Sequence, residues 1–133
     1  MSNASEAITR QIVEATAECG FCSGAYLGGI SSMALMGASG FLTCIYALTK
    51  INYTYQIPLL IGITLRGRPG DGAKFHQSNG LYLDSVIEAI DMPFIPIERR
   101  EDVPKIGVAY AHSRTLSRPV VVGFTRELLR GQA

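Results

Sequence analysis

From Cys19 to Thr49 the chain carries no charged side chain, although 17% of its 133 residues are Asp, Glu, Lys or Arg. A segment so free of charge has to leave water, against lipid, inside one domain's core or against a partner subunit. It is long enough to span a bilayer, but its composition argues against that. Gly24, Gly28, Gly29, Gly37 and Gly40, with Ser23, Ser31, Ser32 and Ser39, interrupt the apolar run repeatedly. A lipid-facing helix needs continuous apolar surface, and Gly28-Gly29-Ile30-Ser31-Ser32 reads as a helix stop. The segment is expected to form a glycine-rich helix, a buried strand, a tight turn and a second helix.

The length supports one domain with its own core, spanning residues 1–133. Hydrophobic residues make up 47% of the chain, and the net charge is only +1. With so little charge to keep it apart from other molecules, an obligate partner is expected. There is no basic block or RNA-binding signature, which argues against nucleic acid. The opening MSNASEAITRQIVEATAE carries Glu6, Arg10, Glu14 and Glu18 and lacks the apolar core of a secretory signal. Three cysteines, an odd count, fit a reducing cytoplasm better than a disulfide framework.

Ser5 is expected to cap a helix running through Ile8, Ile12 and Val13 toward Tyr26. Residues 32–36 read as a strand buried on both faces, 37–40 as a turn, and Leu42 to Leu48 as helix. Pro58 to Leu65 is the clearest strand, followed by a polar glycine-rich loop, Arg66 to Lys74. A helix over about 81–90 and a strand from Pro93 to Ile97 come next. Glu101-Asp102-Val103-Pro104 looks like the first turn of a helix reaching Ser113. Pro119 to Phe124 closes the pattern as a strand. Helices alternate with strands that are apolar runs, the signature of an α/β fold with a doubly wound, mainly parallel sheet and helices on both faces. Ligands of such sheets sit beyond the carboxyl ends of the strands, where the loops 37–40 and 66–79 are expected.

Several residues invite a chemical reading. Cys19-Gly20-Phe21-Cys22 has thiol-redox spacing, but the preceding residues read as helix rather than strand, so packing on one helix face is the better reading. No second ligand pair has zinc spacing. Gly70-Asp71-Gly72 resembles the start of a diphosphate and magnesium motif, yet the required later asparagine pair is absent around 98–101, which leaves it as loop chemistry. His112 reads as solvated surface. His76, in the loop at the ligand edge, is open to either a functional or a structural role. Glu18, the last charge before the neutral run, is open too. It is either a helix-surface carboxylate or one drawn into an interface, where desolvation raises its pKa and lets it exchange a proton.

Taken in order, Glu18-Cys-Gly-Phe-Cys-Ser-Gly-Ala-Tyr-Leu-Gly-Gly29, Met36-Gly-Ala-Ser-Gly40, Ala47-Leu48, Ile51-Asn52-Tyr53 and Ile57-Pro58-Leu59-Leu60 resemble one family of subunits. The likeness continues through Arg66-Gly67-Arg68-Pro69-Gly70, His76 and Gly80, and covers roughly Ala15 to Arg130. The family is the alpha subunit, or pyrimidine-binding domain, of thiamine-diphosphate decarboxylases of the sulfopyruvate and phosphonopyruvate type. The resemblance implies a doubly wound domain packed against a beta subunit that carries the diphosphate and Mg2+ site, with thiamine diphosphate shared across the interface. The cofactor would accept electrons as carbon dioxide leaves a 2-oxo acid. By the same resemblance Glu18 hydrogen-bonds the aminopyrimidine ring and activates the cofactor. Ser39 and Gly40 match the family's turn near the cofactor, His76 a loop histidine near the reacting centre, and Arg66 or Arg68 would meet an anionic substrate tail.

Three departures from the family pattern stand out. Strict spacing puts the activating glutamate at Ala15 rather than Glu18, the family's turn asparagine is Ala38, and the family's initial strand–helix–strand unit is expected to be missing. An open sheet without that unit would expose a hydrophobic edge. The expectation is an alpha subunit of a two-chain decarboxylase acting on a small anionic 2-oxo acid. The alternatives are a structural or regulatory subunit of the same fold and, from another class, a thiol-disulfide oxidoreductase using Cys19 and Cys22.

Overall fold

The computed structural model describes residues 3–133. Its elements alternate as α1 (Asn3–Leu27), β1 (Met33–Gly37), α2 (Ala38–Ala47), a π-helical segment (Leu48–Tyr53), β2 (Leu59–Thr64), α3 (Gln77–Ala89), β3 (Phe94–Ile97), α4 (Lys105–Leu116), β4 (Pro119–Phe124) and a short α5 (Arg126–Leu129). The four strands form one sheet in the order β1-β2-β4-β3. Every neighbouring pair is parallel, with Ile61 of β2 opposite both Ala34 and Val121.

The sheet is covered on both faces, as the apolar strands require. On one face Ala15, Cys19 and Cys22 of α1, Phe41 and Cys44 of α2, and Leu83 and Ile87 of α3 pack against Ala34, Ile61, Ile63 and Val121. On the other, Ile106 and Ala109 of α4 and Leu128 of α5 meet Leu60, Val120, Val122 and Ile97. Residues 15, 19, 22 and 23 of α1 share one stripe at helical spacing, which sets the inner side of this long helix. It ends as the glycines suggested. Gly29 takes φ +80°, and the N–H groups of Ile30 and Gly29 donate to the carbonyls of Ala25 and Tyr26, at 2.8 and 2.9 Å, closing a Schellman turn.

The structure corrects four local expectations. The first helix already runs from Asn3, so Ser5 lies inside it and is not its N-cap. β1 is not buried on both faces: it is an edge strand, and Leu35 is 59% exposed on the face that α4 and α5 cover only in part. Apolar composition alone does not separate an edge strand from a central one. Residues 38–40 are not a turn but the first turn of α2, entered directly from β1. Finally, Arg100–Asp102 form a separate 3-10 turn, and α4 begins only at Lys105. Asp102 satisfies the N–H groups of Glu98 and Arg99 at 3.1 and 3.0 Å, holding the chain in that turn before the helix starts. Among the described residues, no helix is long and apolar enough to cross a membrane.

A candidate active-site cleft at the carboxyl ends of β1 and β2

A cavity of about 420 Å3 opens where β1 and β2 end. Glu18 of α1, Ser39 and Gly40 of α2, Arg66 just after β2, and His76 and Asn79 at the start of α3 all line it. The fold thus brings together residues that lie far apart along the chain, at the sheet edge where parallel α/β folds hold ligands.

Glu18 is half-buried, and its Oε1 accepts the backbone N–H of Leu35 at 2.6 Å. That N–H belongs to the open side of an edge strand, so the carboxylate also closes a vacant position in the sheet's hydrogen bonding. No other hydrogen bond engages Glu18 among the described residues, which leaves its second oxygen available to the cleft. Three residues earlier, Ala15 is buried against α2, and a Cβ placed on Gly40 would lie 3.1 Å from that of Ala15. A side chain at Gly40 would therefore crowd α1 where it meets α2, while Ala15 itself lines the cavity.

Ser39 does not stand free. Its hydroxyl and the buried Asn79 amide exchange hydrogen bonds at 3.0 and 3.2 Å, joining α2 to α3 across the cleft floor. Sequence reasoning missed Asn79, which sits in an unremarkable polar stretch, Gln77 to Gly80, and announces itself only by burial.

Asp71 was legible only as loop chemistry, and the structure gives that chemistry a definite form. Its side chain is 7% exposed. Oδ2 accepts from Arg66 Nε at 3.0 Å, from the Gly67 N–H at 3.1 Å and from His76 Nδ1 at 3.0 Å, while Oδ1 accepts from the Ala73 N–H at 3.2 Å. These donors, the Gly67 N–H foremost, hold the carboxyl well below the ordinary carboxylate range. The same loop is closed by backbone contact between Gly67, at φ +73°, and Gly80: a Cβ on Gly67 would fall 2.1 Å from the His76 carbonyl oxygen. Arg66 Nη2 lies 3.0 Å from the same Nδ1 and competes with Asp71 for it, since that nitrogen accepts from the guanidinium only when it carries no proton. The other ring nitrogen, Nε2, makes no hydrogen bond among the described residues. An ionised Asp71 favours Nδ1–H, leaving Nε2 as the basic nitrogen for work in the cleft.

The remaining candidates separate. Arg68 lies outside this cavity, paired with Asp84 at 2.8 Å on an exposed surface. Cys19, Cys22 and Cys44 are free and buried. The hydrogen bond to Cys44, then burial, push the Cys19 thiol far above its ordinary pKa, the opposite of what a redox nucleophile needs. His112 is exposed, as expected. No group of three or more His, Cys, Asp or Glu side chains is placed to hold a metal ion among the described residues.

No protein-family model matches the chain. Three curated proteins are similar to it. Sulfopyruvate decarboxylase of Methanosarcina acetivorans is 31% identical over 100 residues, 75% of this chain and 26% of that protein. Sulfopyruvate decarboxylase subunit alpha of Methanococcus maripaludis is 30% identical over 87 residues, 65% of this chain and 52% of the relative. The subunit alpha of Methanocaldococcus jannaschii is 30% identical over 107 residues, 79% and 63% respectively. The chain therefore spans less than two thirds of each relative's length.

Proposed function

The chain is related to a sulfopyruvate decarboxylase alpha-like family, and on that premise we propose that it is the pyrimidine-binding alpha subunit of a two-chain, thiamine-diphosphate-dependent decarboxylase. Its substrate would be a small anionic 2-oxo acid such as sulfopyruvate or phosphonopyruvate. The observation that carries the reading is the convergence of Glu18, Ser39, Gly40, Arg66 and His76 on one cavity at the carboxyl edge of the sheet. The likeness to relatives named as alpha subunits supports a partner chain, and the apolar surface beside Leu35 is consistent with one.

The residues fit one half of the cofactor. The free carboxylate oxygen of Glu18 and the small residues at Ser39 and Gly40 suit a flat, nitrogen-bearing ring, while no group of three or more His, Cys, Asp or Glu is placed to hold a divalent cation among the described residues. The diphosphate and Mg2+ are assigned to the beta subunit. When bound, the cofactor supplies the electron sink that decarboxylation requires. Glu18 holds or releases a proton at a ring nitrogen, and its bond to Leu35 fixes its orientation. His76, oriented by Asp71, moves a proton through Nε2, and Arg66 offers cationic charge to the substrate. The free thiols suit a cytoplasmic setting.

A structural or regulatory subunit is the second reading, because Glu18 already has a structural task at the sheet edge. One variant separates the two. Glu18→Gln keeps an oxygen for the Leu35 N–H but cannot exchange the proton. In the enzyme reconstituted with its beta chain, cofactor and Mg2+, it should keep the parent Tm and lower kcat about 100-fold or more, measured as carbon dioxide release. Unchanged turnover would remove Glu18 from the chemistry. Absence of cofactor-dependent decarboxylation by the parent pair would reject the decarboxylase reading itself.

A further inference from the structure

A second cavity, of about 480 Å3, lies beside the first, with Arg66 in the wall of both. Its position follows from topology. After β2 the chain turns into α3, on the face that carries α1 and α2. After β4 it turns into α5, whose Leu128 packs on the opposite face with α4. β2 and β4 are neighbours, so their outgoing connections part to opposite sides and leave a crevice between them at the carboxyl edge. In open parallel sheets such a divergence is where ligands bind. The cleft at Glu18 does not have this property, since β1 and β2 both lead to helices on the same face.

The crevice has an apolar wall, Leu65, Phe94 and Pro96, and three guanidinium groups. Arg66 is paired with Asp71 and Arg68 with Asp84. Arg126 differs: its Nε is buried without a hydrogen-bond partner, and no ion pair engages it among the described residues. Glu98 and Glu127 also line the crevice, but both residues are exposed and neither pairs with Arg126. The crevice thus carries charges of both signs, so an overall positive field is not the attraction. The buried Nε of the half-buried Arg126 is, because a donor removed from water without an acceptor costs free energy that a ligand oxygen would recover.

We propose that this crevice binds a short organic oxyanion, a carboxylate, sulfonate or phosphonate, through Arg126, with its carbon end against Leu65, Phe94 and Pro96. The site adjoins the Glu18–His76 cleft at Arg66, and occupying it requires no thiamine cofactor. Two sources would present this chemistry: the tail of the 2-oxo acid, if the decarboxylase reading holds, or an independent regulatory metabolite.

The direct test is titration of the chain with methanesulfonate, and separately acetate, against sodium chloride at matched ionic strength, following the arginine Nε–Hε NMR signals. A saturable shift of the Arg126 signal with Kd on the order of 1 mM is expected. Arg126→Gln should weaken binding about tenfold or more, and Arg126→Lys by less, with backbone spectra confirming that each variant is folded. No saturation beyond the chloride control, or equal affinity in a folded Arg126→Gln chain, overturns the proposal. In the reconstituted enzyme, competition by methanesulfonate with the 2-oxo acid that disappears in Arg126→Gln assigns the site to the substrate tail. A change in kcat at saturating 2-oxo acid that disappears in the same variant assigns it to a separate anion. Because the NMR titration needs neither cofactor nor turnover, its failure and that of the decarboxylase reading are distinguishable.

Discussion

Individual residues in this protein answer to their immediate donors and acceptors, and Asp102 is the clearest case. Lys105, 2.7 Å away, and the N–H groups of Glu98 and Arg99 lower its pKa from 3.8 to about 2. A carboxyl depressed in the folded state contributes stability that is fully present above its unfolded pKa and is lost as pH falls through the folded value. The parent and Asp102→Asn should therefore differ in Tm at neutral pH and converge between about pH 4 and pH 2, as thermal melts across that range would read. At this scale the sequence carried half of the picture. Glu101-Asp102 was legible as a favourable helix start, but the true target of Asp102 lies upstream, because which N–H groups a short carboxylate reaches depends on backbone path. Glu18 and His76 stood out through their setting in the chain. Asn79 did not, and Asp71 was legible only as loop chemistry and not as the partner of His76, since burial gives no signature in a polar loop.

At the scale of elements, the loop between β2 and α3 is held by one backbone approach that admits no side chain. Gly67 has positive φ, and a Cβ there would lie 2.1 Å from the His76 carbonyl oxygen and 2.7 Å from the Gly80 nitrogen. Both neighbours are backbone, so neither can step aside. Gly67→Ala should cost about 1–3 kcal/mol in chemical denaturation, and more if the loop cannot reorganise. His76 should lose its contact with Asp71 at the same time, which its ring 15N shifts would report. The central strands β2 and β4 were fully legible, because an unbroken apolar run buried on both faces has one simple reading. β1 has a similar run and a different fate. Its outer face stays open, and only its position at the end of the sheet, a property of the whole topology, explains why. The π-helical segment was not foreseen either. Its Asn52 is buried, with Nδ2 donating to Ser23 Oγ and the Ile57 carbonyl at 2.9 and 3.1 Å, an internal tie that the spacing of apolar residues does not reveal.

For the whole molecule, the doubly wound parallel architecture was readable from the alternation of helix and uncharged strand, whereas the unequal cover of its two faces was not. Leu35, Gly62, Phe124 and Leu129 line an apolar hollow of about 410 Å3 on the face that α4 and α5 leave partly bare. Surfaces of this kind associate. The isolated chain is expected to self-associate with rising concentration in sedimentation velocity, and Leu35→Glu to bring its apparent mass toward the 14.4 kDa of one chain. A parent that stays monomeric at every concentration would contradict this. The hydrogen bond from the Leu35 backbone to Glu18 reaches further than the cleft. Another strand could zip onto the rim of β1 only by evicting that carboxylate. Fibre-like growth along this rim and the fixed orientation of Glu18 in the cleft would then be rivals for one carboxylate.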